Sequence, residues 1–439
     1  MKKYATIEEL YQLFISCNQK ITTDTRKLEK GAVFFALKGE NFDANTFAQQ
    51  AIDEGCAYAI VDLESVSNDK TILLVDNVLE TLQQLAKYHR RQLKIPIIGI
   101  TGSNGKTTNK ELIHAVLSKK YNTYATKGNL NNHIGVPLTL LALTDKHEMA
   151  IVEMGANHQG EIAMLSELSD PDYGMITNIG KAHLEGFGGI EGVKKGKSEL
   201  YKYLNKKNRK IFINGNDSVL LELGKGLNKI YYGENEDFDV YGKLFLNSEF
   251  VEFKWNMKQK SLENQPLVTT HMFGQYNFIN LLCAACIGNY FGVSEKEINE
   301  ALMSYVPEMN RSQIKKTELN TLILDAYNAN PSSMGLAIEN FAKQPFENKV
   351  MILGDMLELG EYSEHEHEKI ILQIQKSIFK KVVFVGVQFF KLKDKFIQYH
   401  FYKNIEEFKS DITANKMADS TILIKGSRGI QLEKVVNIL

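Results

Sequence analysis

The stretch Ile95-Pro96-Ile97-Ile98-Gly99-Ile100, running on into Thr101-Gly102-Ser103-Asn104-Gly105-Lys106-Thr107-Thr108, decides the fold class of this chain. A compact apolar strand enters a glycine-rich turn. The turn opens a helix on which Leu112, Ile113, Val116 and Leu117 form one apolar stripe. Glycines let consecutive backbone N–H groups turn inward around phosphate oxygens, and the helix N-terminus adds positive potential. Lys106 is expected to neutralise the β- and γ-phosphates, with the Thr107 hydroxyl on Mg2+. The general pattern places a glycine where Ile100 stands, so the loop is a shorter G-x-x-G-K-T. The alternative is a glycine-rich turn that binds nothing, and a lysine with two threonines at the helix start tells against it.

Outward from the loop, apolar strands alternate with helical segments. Ala150–Glu153, Gly174–Thr177 and Lys210–Ile213 read as strands of a parallel sheet covered on both faces, and residues 235–272 alternate like antiparallel β structure. Before the loop, Ala32–Leu37, Tyr58–Val61 and Ile72–Val75 are short strands, Lys38-Gly39-Glu40 is a turn, and Leu79–Leu93 is a helix. Its basic end, Lys87-Tyr88-His89-Arg90-Arg91, reads as a solvated face. After Arg311, strands at Leu322–Asp325, Val350–Leu353, Val382–Val385 and Thr421–Ile424 repeat the doubly wound rhythm. The expected fold is α/β in three domains: a small N-terminal α/β unit (1–93), a central P-loop-type parallel-sheet unit (94–310) and a C-terminal Rossmann-like unit (311–439).

The 439 residues are 44% hydrophobic and 24% charged, the balance of a soluble globular enzyme. A net charge of -1 makes no electrostatic case for nucleic acid. Glu8 and Glu9 stand where a signal peptide would be apolar, and Phe278–Val293 reads as a buried helix rather than a membrane span. Four cysteines without a secretory signal point to a reducing, cytoplasmic setting. Cys283-Ala-Ala-Cys286 lies in an apolar helix and reads as core, and His365-Glu366-His367 reads as solvated surface.

The loop Thr101–Thr108 resembles the ATP loop of the Mur ligases and folylpolyglutamate synthetases. Gly128-Asn129-Leu130-Asn131-Asn132-His133-Ile134-Gly135-Val136-Pro137, Glu153–Ile162 and Ala182–Phe187 look like further motifs of the Mur ligase family. The last two, with Asp325-Ala326-Tyr327-Asn328-Ala329-Asn330-Pro331 and Lys425-Gly426-Ser427-Arg428, are similar specifically to its dipeptide-adding branch. Asp24-Thr25-Arg26 and Ala36–Asp43 resemble that branch's UDP-binding domain, so the likeness spans all three units in order.

The resemblance implies ATP-driven amide formation in peptidoglycan precursor synthesis. It implies ATP and Mg2+ as cofactors, UDP-MurNAc-tripeptide and D-Ala-D-Ala as partners, no nucleic acid, no membrane insertion and a monomer. Gly102, Ser103, Asn104, Gly105, Lys106, Thr107 and Thr108 would hold ATP, with Asn277, Arg311 and Asp325 on its nucleoside side. Thr107, Glu153, His183 and Lys197, the last as a carbamate, are the implied Mg2+ positions. Lys106, Glu153, His183 and Lys197 are the implied catalytic residues. A carbamate gives the metal anionic oxygens where an ammonium would repel it. Thr25, Arg26, Gly39, Asn129, Asn131, Asn132, Tyr327, Asn328, Asn330, Lys425 and Arg428 are the implied substrate contacts. The bland readings stand beside these: Glu153 as a strand-end cap, His183 as a hydrogen-bonded structural residue, and Lys197 as a solvated lysine beside Lys194 and Lys195. Two positions depart from the family pattern, Asn310-Arg311 for Gly-Arg and Leu324 for an acid. Pro331-Ser332-Ser333 lacks the arginine of the diaminopimelate- or lysine-adding ligases, the nearest rival reading. A nucleotide-gated binding protein without catalysis is the rival from another class.

Overall fold

The computed structural model describes residues 5–439 apart from 69, 247, 309 and 310. Ile97–Thr101 lies inside a nine-stranded sheet. Its order is Val268–Phe273, Phe250–Met257, Val240–Phe245, Asn228–Gly233, Lys210–Asn214, Tyr173–Ile176, Ile97–Thr101, Met149–Glu153, Thr123–Ala125. The run from Thr123–Ala125 to Val240–Phe245 is parallel, and the last three strands pair antiparallel, as the alternation in 235–272 predicts. Successive side chains of a strand point to opposite faces. Accordingly Ile98 and Ile100 pack with Leu112, Ile113, Val116 and the helix Asn277–Tyr290, while Ile97 packs with Leu140, Ile162 and Leu165 on the other face. Both faces are covered, which is why the strand is apolar throughout.

The C-terminal sheet has six strands, in the order Gln313–Lys316, Asn320–Leu324, Ser420–Lys425, Lys349–Gly354, Lys381–Val385, His400–Tyr402. Only the edge strand Gln313–Lys316 runs antiparallel. Ahead of the central sheet stands a parallel sheet of four: Ile21–Thr22, Val33–Phe35, Tyr58–Val61 and Ile72–Leu74. The α/β class therefore holds in each sheet. The edge strands Thr123–Ala125, Gln313–Lys316 and His400–Tyr402, and the inner strand Asn228–Gly233 with Ile230 as its one aliphatic residue, escape a sequence reading because their apolar runs are weak. Among the described residues, no helix is long and apolar enough to cross a membrane.

Three local readings are corrected. Lys38–Gly39 is a strand paired with Phe42–Asp43, so the turn falls on Glu40 and Asn41. The basic run is not a solvated face: His89 is 1% and Arg90 7% exposed. They share a stripe of the helix Val78–Gln92 with Leu82, Leu85 and Ala86. Arg90 donates to the carbonyls of Ser169 and Asp170 at 3.0 Å and pairs with Asp172 at 2.8 Å, joining the helix to the central sheet. His367 is buried as well, because the helix Ser363–Ile374 turns it inward with Ile370, Ile371 and Ile374, while His365 stays exposed. Cys283 and Cys286 are free and buried in the core, as expected.

Candidate active site

The turn after Ile97–Thr101 depends on its glycines. Gly102 has φ +143, and a Cβ there would lie 1.9 Å from Thr177 Oγ1; Gly105, with φ +75, precedes the helix Lys106–Leu117. The next strand's loop clamps the turn from behind. Ser103 Oγ donates to Gly180 O at 2.9 Å, Asn104 N–H donates to Asn178 Oδ1 at 3.1 Å, and Thr177 Oγ1 donates to Asn104 O at 2.6 Å. Half-buried Lys106 folds over the turn, donating to Gly102 O at 2.7 Å. Desolvation lowers its pKa, Glu153 opposes that shift, and the charge of Arg311 adds to it.

Glu153 ends the strand Met149–Glu153 beside the turn and is 1% exposed. Its Oε1 accepts from Thr107 Oγ1 at 3.3 Å and from Asn131 Nδ2 at 2.8 Å. Its Oε2 is buried with no hydrogen-bond partner, and the fully buried ammonium of Lys110 lies 4.0 Å away. A buried carboxylate oxygen without a donor is costly unless something positive meets it. Beside a threonine hydroxyl, that donor set fits Mg2+, a hard cation that takes few protein ligands and leaves the rest to water and phosphate. Among the described residues there is no cluster of three or more His, Cys, Asp or Glu that could hold a metal ion.

Lys197 closes the helix Ile190–Lys197 and is 1% exposed. Its Nζ donates to Ala156 O at 3.0 Å and lies 4.9 Å from the Phe187 ring centre. Desolvation first, then the charge of Lys106, push its pKa well down against the pull of Glu161 and Glu199. Lys194 instead pairs with Glu222 at 2.9 Å, and Lys195 is exposed. Burial thus separates Lys197 from its neighbours in a way the sequence does not.

The predicted residues converge on one cavity of about 740 Å³ between the central and C-terminal sheets. Ser103 through Thr108 form one wall, and Asn129, Asn131 and Asn132 with Glu153 and His183 another. Asn277, Arg311 and Asp325 line a third side, and Tyr327, Asn328, Asn330 and Lys425 close it. Arg428 lines a smaller adjoining cavity of about 240 Å³, which shares Asn129, His183 and Tyr327 with the first. Gly102 and Lys197 are not among the lining residues, Lys197 being bonded to Ala156, which is one of them. Thr25, Arg26 and Gly39 belong to the N-terminal unit and line neither cavity. There Arg26 projects into solvent, pairs with Asp24 at 2.9 Å, and with its backbone N–H holds that carboxyl down to about 2.

Several of these side chains are engaged with the protein itself. Lys425 Nζ sits 2.6 Å from Asp325 Oδ2, which fixes the ends of two adjacent strands. Asn277 donates to Phe273 O at 2.8 Å and accepts from Asn280 at 2.9 Å. The Arg311 guanidinium stacks 3.5 Å above the Tyr327 ring, leaving its Nε buried without a partner. Asn310, the departure from Gly-Arg, lies outside the described residues. Asp355, in the loop that follows the strand Lys349–Gly354, turns inward to accept the N–H groups of Gln388 and Phe389 rather than facing the cleft. Lys110, Asn178, Asn280, Ser312 and Glu358 are additions that the sequence reading does not contain. Lys110 had a signal, one helical turn after Lys106, yet nothing local marks it as buried.

The profile of the Mur ligase middle domain matches residues 100–288, and that of the Mur ligase, glutamate ligase domain matches residues 310–428. A Bacillus subtilis (strain 168) protein named UDP-N-acetylmuramoyl-tripeptide--D-alanyl-D-alanine ligase is 36% identical over 432 residues, 95% of this chain and 92% of that protein. The protein of that name from Escherichia coli (strain K12) is 35% identical, with 95% of this chain and 93% of that protein covered. A crystal structure of MurF from Acinetobacter baumannii superposes with a TM-score of 0.86 at 31% identity, covering 97% of each chain. The Thermotoga maritima MurF ligase in complex with ADP shares the fold, with a TM-score of 0.83 at 24% identity over 96% of this chain and 97% of that one. With relatives of this identity matched over nearly their whole length and the phosphate loop at the head of the matched middle domain, the chain belongs to the Mur ligase family.

Proposed function

We propose that this chain joins D-alanyl-D-alanine to UDP-N-acetylmuramoyl-tripeptide with ATP as the driving substrate, forming UDP-MurNAc-pentapeptide, ADP and phosphate. One observation carries the reading above the others. The buried Glu153 Oε2, which has no hydrogen bond, lies beside Thr107 and the phosphate loop, on the wall of the cavity of about 740 Å³. The named relatives supply the substrates.

In the reaction, the γ-phosphoryl group leaves ADP and bonds to the terminal carboxylate of the tripeptide, giving an acyl phosphate. The dipeptide amine then attacks the carbonyl carbon, loses a proton, and expels inorganic phosphate as the C–O bond breaks. Two anions must approach each other, so positive charge dominates the catalysis. Lys106 and the free N–H groups at the start of its helix would hold the phosphates, and Thr107 and Glu153 are the residues that would hold Mg2+. Mg2+ held by these residues would supply charge neutralisation to the phosphoryl transfer. Lys197, desolvated and therefore readily neutral, is suited to react with CO2 as a free amine and so become a carbamate. Asn129, Asn131 and Asn132 face the tripeptide end. Tyr327, Asn328, Asn330 and Arg428 face the incoming dipeptide, whose charged ends suit donors and acceptors in one loop.

Thr25, Arg26 and Gly39 would hold the UDP end on the N-terminal unit, since the nucleotide and the reacting carboxylate are opposite ends of a long substrate. We place the domain divisions at 93/94 and 310/311, between the three sheets. We place the protein in the cytoplasm as a monomer; its four free, buried cysteines suit a reducing compartment. The test is ADP release with D-Ala-D-Ala and UDP-MurNAc-tripeptide ending in either diaminopimelate or lysine. Dipeptide-dependent ADP formation is expected with at least one tripeptide, and its absence with both would overturn the reading.

A further inference from the structure

His183 stands at the head of the short helix Leu184–Phe187 with φ +53, in the left-handed region. Its Nδ1 is hydrogen-bonded to Glu358 Oε2, which comes from the C-terminal unit. An ionised carboxylate only accepts; Nδ1 therefore carries the proton, and Nε2 takes no part in the contact. The backbones meet at the same point, where Glu185 N–H donates to Glu358 O at 3.3 Å.

The segment that delivers Glu358 is anchored residue by residue. The Asp355 carboxylate accepts from Gln388 N–H at 2.8 Å and from Phe389 N–H at 2.9 Å. Met356 N–H donates to Nε2 of the fully buried His367 at 3.0 Å, whose Nδ1–H donates to Ser363 O at 2.7 Å. Leu357 N–H donates to Ser427 Oγ at 2.9 Å. Glu358 itself then adopts φ +62 and reaches across to His183. Around this point the units are joined again by Lys181 Nζ to Glu366 at 2.7 Å, Lys181 N–H to Ser332 Oγ at 2.9 Å, and Asn330 Nδ2 to Asn104 Oδ1 at 2.7 Å.

We propose that Glu358 is a positioning residue for His183. It sets the tautomer and orientation of an imidazole on the other unit, so that this part of the site is complete only when the C-terminal unit is docked. A carboxylate behind a histidine fixes the ring and raises the basicity of its far nitrogen. His367 and Ser427 act one step further back, by holding the backbone that presents Glu358. The inference rests on the ligase reading for its turnover arm alone.

The test uses the full chain with 15N-labelled histidine rings, the His183 signals being those absent from His183→Gln. The unaltered protein is expected to show the Nδ1–H tautomer at His183. Glu358→Ala is expected to move His183 toward the Nε2–H tautomer that an unrestrained histidine side chain favours. It is also expected to lower kcat by roughly 10–100-fold, the range for losing such an outer partner, with KM for ATP little changed. Glu358→Gln, whose carbonyl still accepts from Nδ1–H, should retain the tautomer and most of the turnover. The Glu358 side chain is 54% exposed, so neither change opens a core cavity. An unchanged His183 tautomer in Glu358→Ala overturns the proposal whatever the turnover, and so does a changed tautomer with unaltered kcat. If the unaltered chain shows no dipeptide-dependent ADP formation, the ligase reading fails and the ring spectrum alone decides this one.

Discussion

Thr107 Oγ1 and Glu153 Oε1 lie 3.3 Å apart, joining the first turn of the phosphate-loop helix to the end of the neighbouring strand. This contact ties the loop to the carboxylate, and Glu153 keeps its second oxygen buried without a hydrogen bond, 4.0 Å from the Lys110 ammonium. Glu153→Gln keeps the shape and the bonds to Thr107 and Asn131 but removes the charge. The expected result is a roughly 10²–10³-fold fall in kcat/KM, the scale for losing one preorganised electrostatic group. Raising Mg2+ should recover part of it. Steady-state assays across a Mg2+ series check this, and a flat, undiminished response would remove Glu153 from the site.

Lys197→Ala removes the one lysine of its helix that is buried. Turnover is expected to collapse, and added short-chain carboxylic acids are expected to restore a part of it by supplying the missing anionic oxygens. Lys194→Ala, which loses only an exposed pair with Glu222, should stay near the unaltered rate. Ordinary activity in Lys197→Ala would take Lys197 out of the mechanism.

Gly102→Ala tests the loop through its backbone. The added Cβ meets Thr177 Oγ1 at 1.9 Å and Thr177 N at 2.9 Å, at a φ of +143. Strain and overpacking together should cost about 2–4 kcal/mol of stability. Denaturant unfolding would show it as a lower midpoint with unchanged slope, accompanied by weaker nucleotide binding. An unshifted midpoint would mean that the turn is more plastic than its contacts imply.

Acid sensitivity should depend in part on Asp170. Burial raises its pKa, but hydrogen bonds from Arg209 and Tyr203, then the charges of Arg209 and Lys207, outweigh this and leave it lowered. A carboxylate with a depressed folded pKa stabilises the fold above its unfolded pKa, about 3.9, and loses that contribution as pH falls through the folded value. Asp170→Asn should therefore be less stable than the unaltered chain near neutrality. The gap in melting temperature should shrink toward pH 3. A gap that stays constant with pH would assign the loss to packing instead.

What the sequence determined by itself was local. Ile97–Ile100 is apolar without interruption because its strand is covered on both faces, and the alternation in 235–272 marks antiparallel strands for the equally local reason of period-two exposure. The G-x-x-G-K-T turn was legible because its residues act through their own backbone. Tertiary structure decided the rest. His89, Arg90 and His367 are polar residues whose burial depends on partners in distant segments. Lys197 differs from Lys194 only in which side of its helix meets Ala156 and Phe187. The pairs Asn104–Asn330 and His183–Glu358 join residues 226 and 175 positions apart. No propensity or spacing encodes such a pairing. It exists only where packing of the two sheets brings the ends of their strands face to face.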